Sequence, residues 1–352
     1  MKKNLLSTTL FFVMGLASAQ TIDVSLFVPA TPFQDADVGA MAFADIDNDG
    51  DQDLLISGKG GPIKTTLYIN DGIGNYTEAT GTPFVNVYDG TVGFADVNND
   101  NFIDLLVTGA TSAPIKTSNL YINNGNGTFS IAPTPFTPSR SGDFAFADID
   151  NDNDKDLIMT GINANDNGFT KMYVNNGSGN FSEVVSTPFE QLNNSSVAFI
   201  DIENDGDLDV VLAGANSSSL VLTKLYTNNG TGIYTLNNNN LFEGFTTGDI
   251  AIADSDNDGD NDILITGQGT SNPLTKLYAN NGTGTFTEVL NTPFAQAFVS
   301  ATEFADFDND GDKDIFLVGA RFGNPAAVAH IYQNQGNNTF VLSNDLIATY
   351  LA

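Results

Sequence analysis

The chain alternates short apolar runs with polar turns, and no stretch of useful length carries helical periodicity. In one stretch GAMAFADI (39 to 46) leads into an acidic loop, and DLLISG (53 to 58), TTLYIN (65 to 70) and NYTEAT (75 to 80) follow. Each reads as a short strand. The second of these is almost wholly apolar, as a strand covered on both faces must be. It stops at a glycine each time it recurs: Gly58, Gly109, Gly161, Gly214, Gly267 and Gly319. The third carries Tyr68, Tyr121, Tyr173, Tyr226, Tyr278 or Tyr332. Between third and fourth lie turns such as NDGIGNY and NNGTGTF, whose Asn-Gly pairs supply the positive φ angles of tight hairpins.

The recurrence fixes the architecture. TPF or its relic places a phenylalanine at Phe33, Phe84, Phe136, Phe189, Phe242 and Phe294, and twelve residues after each an aspartate opens an acidic run. Both series step by 51, 52, 53, 53 and 52 residues. The repeats run 34–84, 85–136, 137–189, 190–242, 243–294 and 295–345, which predicts one domain over 20–352. Four antiparallel strands per unit, repeated radially, predict an all-β fold, a β-propeller of six four-stranded blades of about 52 residues each. Seven blades is the alternative. IDVSLFV (22 to 28) is a candidate strand for closing the ring, and TFVLSN (339 to 344) is the last unit's own fourth strand.

The first nineteen residues differ in kind. Lys2 and Lys3 precede an apolar stretch from Leu5 to Leu16, and Ala17, Ser18 and Ala19 follow. This pattern predicts a signal peptide cleaved near Ala19 and a secreted or cell-surface protein. The stretch is shorter than the roughly 20 residues of a spanning helix, and no membrane insertion is expected.

Composition narrows the chemistry. With 12 basic and 43 acidic side chains the formal charge is -31, which argues against nucleic acid as a partner. Cysteine is absent and histidine occurs once, so a metal would be held by oxygen. Of the 43 acidic side chains, 28 crowd into the six loops. These read DIDNDGDQD (45 to 53), DVNNDNFID (96 to 104), DIDNDNDKD (148 to 156), DIENDGDLD (201 to 209), DSDNDGDND (254 to 262) and DFDNDGDKD (306 to 314). Such crowding calls for a cation. Carboxylate and carbonyl oxygens on a flexible loop suit calcium, with positions 1, 3 and 5 converging and position 6 turning the chain so that positions 7 and 9 come round.

An EF-hand opens in the same way, but it needs a glutamate at position 12 and flanking helices. Position 12 is Ile56, Val107, Met159, Leu212, Ile265 or Leu317, inside the next strand. The helix-free loop, the glycine-ended strand and the NNGxGxF turn together resemble the FG-GAP and VCBS repeats of calcium-binding propellers, which include the integrin head and lectin-like members. The resemblance covers all six units. It implies up to six Ca2+, held by side chains at positions 1, 3, 5 and 9 and the backbone at 7.

Carried over, the first site is Asp45, Asp47, Asp49, Asp51 and Asp53, and the second is Asp96, Asn98, Asp100, Phe102 and Asp104. The third is Asp148, Asp150, Asp152, Asp154 and Asp156, and the fourth is Asp201, Glu203, Asp205, Asp207 and Asp209. The fifth is Asp254, Asp256, Asp258, Asp260 and Asp262, and the sixth is Asp306, Asp308, Asp310, Asp312 and Asp314. With Asn98 at position 3 and Asn101 for glycine, the second site is expected to be the weakest.

No nucleophile with its base appears, and catalytic residues are not assigned. His330 stands where Lys171, Lys224 and Lys276 stand in other units, so it is expected to be a surface strand residue. At the ends of the strands away from the acidic loops the units differ. Tyr88, Arg140, Phe245, Phe298 and Arg321 are the ligand-binding candidates there. The function expected is adhesion or ligand binding, with an extracellular glycan or protein as partner. An extracellular polysaccharide lyase or hydrolase is the alternative, and a structural module of a longer adhesin a second.

Overall fold

The computed structural model describes residues 33–113, 115–322 and 327–346. The expected signal peptide and the candidate closing strand at 22–28 lie outside them. Among the described residues, twenty-four strands form six antiparallel sheets of four, and in each sheet neighbouring strands are consecutive in sequence. The fold class is a six-bladed β-propeller. The described chain forms two compact units, one ending at Asn193 and the other starting at Asn194.

In the first unit, blade one is β1 (Asp37–Ala44), β2 (Asp53–Lys59), β3 (Ile63–Asn70) and β4 (Tyr76–Glu78). Blade two is β5 (Val92–Ala95), β6 (Asp104–Ala110), β7 (Lys116–Asn123) and β8 (Phe129–Ala132). Blade three is β9 (Phe144–Ala147), β10 (Asp156–Ile162), β11 (Gly168–Val174) and β12 (Ser182–Val184). Blade four opens with β13 (Asn193–Ile200), followed in the second unit by β14 (Asp209–Ala215), β15 (Val221–Asn228) and β16 (Tyr234–Asn237). Blade five is β17 (Phe245–Ala253), β18 (Asp262–Gly269), β19 (Pro273–Asn280) and β20 (Phe286–Glu288). Blade six is β21 (Phe298–Ala305), β22 (Asp314–Ala320), β23 (Ala327–Asn334) and β24 (Phe340–Asp345).

The apolar second strands sit where their composition requires, because blades of one unit pack face to face. Leu55 of β2 and Leu105 of β6 share one core with Val107 and Tyr121, while Leu106 faces the other way into a core with Leu157 and Met159. The second unit repeats the arrangement with Val211 and Ile263 in one core and Leu264 and Ile315 in another.

TPF, the third-strand tyrosine and the aromatic of the NNG turn are one cluster. Phe84 meets Tyr121 and Phe129 edge-on with ring centroids 5.1 Å apart in both pairs. Phe294 does the same with Tyr332 and Phe340 at 5.1 and 5.2 Å. The hydroxyl is used too: Tyr121 Oη accepts the backbone N–H of Val85 at 2.9 Å and Tyr332 Oη that of Ala295 at 2.7 Å. Phenylalanine could supply the ring but not the acceptor.

The glycine ending each second strand answers a close approach. A Cβ on Gly142 would lie 2.2 Å from the Thr160 carbonyl oxygen and 2.3 Å from the Gly161 Cα, and Gly161 itself has φ of 134°. Two backbones touch there, and no side chain fits between them.

Candidate metal-binding loops and the variable face

The acidic loops join first strand to second. Within each loop the position-1 carboxylate accepts the N–H groups of positions 5 and 6, as Asp45 does from Asp49 and Gly50, each at 3.0 Å. Position 6 needs a left-handed backbone. Gly50 takes φ of 96°, and Asn101 and Asn153, which replace glycine, take 68°.

Position 9 is the anchor. Asp53, Asp104, Asp156, Asp209, Asp262 and Asp314 are all buried at 0 or 1% exposure, which so short a charged side chain reaches only when its oxygens are engaged. One carboxylate oxygen accepts the N–H of position 2 and the other that of the asparagine ending the third strand, at 2.7–3.1 Å in all six loops. That asparagine also ties blades together. Asn123, Asn175, Asn280 and Asn334 each donate through Nδ2 to the position-2 carbonyl of the preceding blade's loop, at 2.7–3.0 Å.

Burial, aided by the neighbouring carboxylates, pushes Asp53, Asp104, Asp156 and Asp314 up to about 6. Asp209 is pushed up to about 7, again by burial first, with Glu203 beside it. Burial likewise raises Asp262. Anionic oxygens held in this way favour a cation.

In four loops three carboxylates converge: Asp45, Asp47 and Asp53; Asp148, Asp150 and Asp156; Asp254, Asp256 and Asp262; and Asp306, Asp308 and Asp314. In each group one oxygen per residue lies within 4.8 Å of the others, so these groups could hold a metal ion. A second observation supports that fit. Oδ1 of Asp150 and Oδ1 of Asp256 are buried without a hydrogen-bond partner among the described residues. The other two loops differ in sequence at the same position. Asn98 removes a charge from the second, and in the fourth the longer Glu203 lies beside Asp209 and helps to raise its pKa.

Position 5 serves the loop itself, since Asp49, Asp100, Asp152, Asp205, Asp258 and Asp310 accept the N–H of position 7 at 2.9–3.0 Å. Asp51, Asp154, Asp207 and Asp260 at position 7 lie under the glycine of their own blade's NNG turn, as does Phe102. Asp96 and Asp201 accept the N–H groups of positions 5 and 6 like their counterparts. Asp312 is reached by Asn257 of the previous loop, at 2.5 Å.

If charge in the loop sets cation affinity, Asp254→Ala or Asp306→Ala should remove more metal-dependent stability than Asp96→Ala. Melting curves of the three variants with and without metal test this, and an Asp96→Ala that proves the most damaging would overturn it.

The variable-face candidates separate. Phe245 is fully buried, which corrects its placement as a ligand-binding residue: its ring lies against Gly267 in the core of the second unit. Val87, Leu192 and Ala297 hold the same repeat position and are buried as well. Tyr88 and Arg140 are half-buried staples between blades. Lys59 Nζ sits 4.9 Å over the Tyr88 ring, and Arg140 Nη1 pairs with Asp89 at 2.8 Å. Arg321 lies in the second unit, where Asn272, Pro273, Ala295, Gln296, Arg321 and Phe322 line an open cleft of about 390 Å³, and Phe298 reaches this place through Phe322. Phe322, next to Arg321 in sequence, is 68% exposed and tilts against Phe298 with centroids 5.1 Å apart.

His330 is not a surface residue. It is buried, with Nδ1 2.8 Å from Tyr332 Oη and Nε2 3.6 Å from Asp345, and burial lowers its pKa. Lys276, at the same repeat position, is likewise engaged, by Glu243 and Glu288 at 2.9 and 3.0 Å. Among the described residues no helix is long and apolar enough to cross a membrane.

The solved structures similar to this chain include two fungal proteins. One is the Aleuria aurantia lectin, a six-bladed propeller whose structure revealed a mode of fucose recognition. It is 10% identical over 90% of this chain and 97% of its own, with a TM-score of 0.50. The other, AofleA from Arthrobotrys oligospora, is 10% identical over 88% of this chain and 86% of its own, also at 0.50. At such identity the likeness is one of fold. No curated protein matches the sequence. The FG-GAP-like repeat model matches residues 45–107, 96–159, 160–212, 201–265 and 254–317, taking in the acidic loops and the strands that hold them. The chain therefore belongs to the FG-GAP-like repeat family.

Proposed function

We propose that this chain is an exported, calcium-binding propeller that recognises a saccharide through the cleft at Arg321 and Phe322. The supporting observation is the departure of this one place from the repeat. Positions held by Arg321 and Phe322 are filled elsewhere by Gly60 and Gly61, Thr111 and Ser112, Asn163 and Ala164, Asn216 and Ser217, and Gly269 and Thr270. The fold needs nothing large there. A guanidinium with forked donors beside an exposed ring suits a sugar, which offers hydroxyl groups on its edge and C–H groups on its face. A cleft of about 390 Å³ falls within the range of ligand pockets. Fucose recognition by the Aleuria lectin fits the same use of a six-bladed propeller.

Calcium suits the loops because every donor is an oxygen, the loops are flexible enough for its six to eight ligands, and the converging carboxylates carry charge that a divalent ion neutralises. Its role in this reading is structural. Export follows from the N-terminal pattern of Lys2, Lys3 and the apolar stretch from Leu5.

A glycan array on the purified protein tests the saccharide reading. Arg321→Ala and Phe322→Ala should each weaken the binding detected by about tenfold or more, as loss of an anchor in a small site does, with the calcium-dependent melting curve unmoved. Full binding by both variants, or no glycan bound by the parent protein, would end it.

A further inference from the structure

Position 4 of every acidic loop is asparagine: Asn48, Asn99, Asn151, Asn204, Asn257 and Asn309. All six hold a left-handed backbone, with φ between 56 and 62°. In four of them, Asn48, Asn99, Asn204 and Asn257, the side chain donates to the next loop of the same unit. Asn99 Nδ2 donates to Asp154 Oδ1 at 2.7 Å. Asn204 Nδ2 donates to Asp260 Oδ1 at 2.6 Å and to the Gly259 carbonyl at 3.3 Å. Asn257 Nδ2 donates to Asp312 Oδ1 at 2.5 Å. In the second loop position 7 is Phe102, which has no side-chain acceptor, and Asn48 Nδ2 turns instead to the Asn101 carbonyl at 3.1 Å. In these four the target is position 7, or position 6 beside it.

Position 7 is held from a second side. A Cβ on Gly177 would lie 2.5 Å from Asp154 Oδ1, and one on Gly282 would lie 2.4 Å from Asp260 Oδ2, so each carboxylate fills the space over its own blade's NNG turn. The N–H of position 7 in turn fixes position 5, as Asp154 does with Asp152 and Asp260 with Asp258, each at 3.0 Å. Anything that moves position 7 thus moves a backbone carbonyl and a carboxylate of the loop together.

We propose that the position-4 asparagine is a positioning residue shared by two loops, a spacer between positions 3 and 5 of its own loop and a clamp on position 7 of the next, and that Asn257 does this between two loops in which three carboxylates converge. Filling one loop stiffens its asparagine and pre-organises its neighbour, and by linkage the neighbour does the same in return. Asparagine is suited to both tasks, because it tolerates the left-handed backbone and carries an amide donor. The proposal rests on the calcium reading of the loops.

Calcium titration of the purified protein by calorimetry, with Asn204→Gly, Asn257→Gly and Asn257→Asp alongside, tests it. Glycine keeps the left-handed backbone and removes only the amide. The parent protein should bind with a Hill coefficient above one. Each glycine variant should lower that coefficient and weaken mean affinity by on the order of tenfold, the value of one hydrogen bond to a charged group. Asn257→Asp, which sets a carboxylate against Asp312, should weaken it further. Melting of the glycine variants in EDTA should stay close to the parent, separating a clamp from general damage. Calcium binding that is non-cooperative and unchanged in the variants would overturn the clamp and leave the calcium reading standing; a parent protein that binds no calcium would overturn both.

Discussion

Chelation by EDTA is expected to lower the melting temperature by on the order of 10 °C or more, and calcium to restore it better than magnesium. Each ion bound only by the folded state adds about 2.7 kcal/mol at a hundredfold excess over its Kd, and four loops present three converging carboxylates. The pH dependence should change sign with the metal. Burial holds Asp53, Asp104, Asp156 and Asp314 at about 6 and Asp209 at about 7, whereas an unfolded aspartate titrates near about 3.9. The chelated folded state therefore binds protons more tightly than the unfolded chain. Its advantage is complete below the unfolded value and is lost as pH rises through the folded values. Chelated protein should thus lose stability between about pH 4 and 7. Calcium-loaded protein should gain stability over the same window, because protons compete with the ion for the same oxygens. Melting measured across pH in EDTA and in calcium decides this. Two parallel curves, or an unchanged melting temperature after metal analysis confirms removal, would refute the metal reading.

The second large effect belongs to position 9. Asp262 accepts the N–H of Ser255 at 3.0 Å, its hydroxyl at 2.5 Å and the N–H of Asn280 at 2.8 Å, all at a buried site. Asp262→Ala strands these donors and should cost about 3 kcal/mol or more even in EDTA. Asp254→Ala removes acceptors from exposed N–H groups that water can satisfy, so its effect should appear chiefly in calcium. Urea unfolding of both variants, with and without metal, separates the two roles. If Asp262→Ala unfolds like the parent in EDTA, the carboxylate is a metal ligand and no anchor.

Much of the fold was legible because repetition reports the same constraint six times. Gly161, Tyr121, Phe84 and Asp53 each stand at a position whose residue type recurs, and each recurrence has a local cause: touching backbones, a hydroxyl acceptor, an aromatic cluster, a buried anchor. What escaped was lateral. Asn123 and Asn99 recur as regularly as the aspartates, but their partners lie in the neighbouring loop, and no spacing within a unit reveals that.

Phe245 reads as a binding aromatic by its chemistry alone, whereas its repeat position, where Val87 and Leu192 are buried, belongs to the core. His330 reads as exposed by analogy with lysine. Its buried setting comes from Tyr332 and Asp345, and the pairing of β23 with β24 that brings Asp345 alongside becomes visible only in the folded blade.

Because hydrogen-bonded strands in every sheet are consecutive in sequence, backbone pairing within a blade closes only short connections. The ties between blades span far more chain: Asn123 reaches Ile46 across 77 residues. Pairing within a blade is therefore entropically cheap and early, and docking between blades comes later. During synthesis each new stretch of chain can set its own strand register before its successor leaves the ribosome. A slip in one blade then stays confined to that blade instead of propagating along the array.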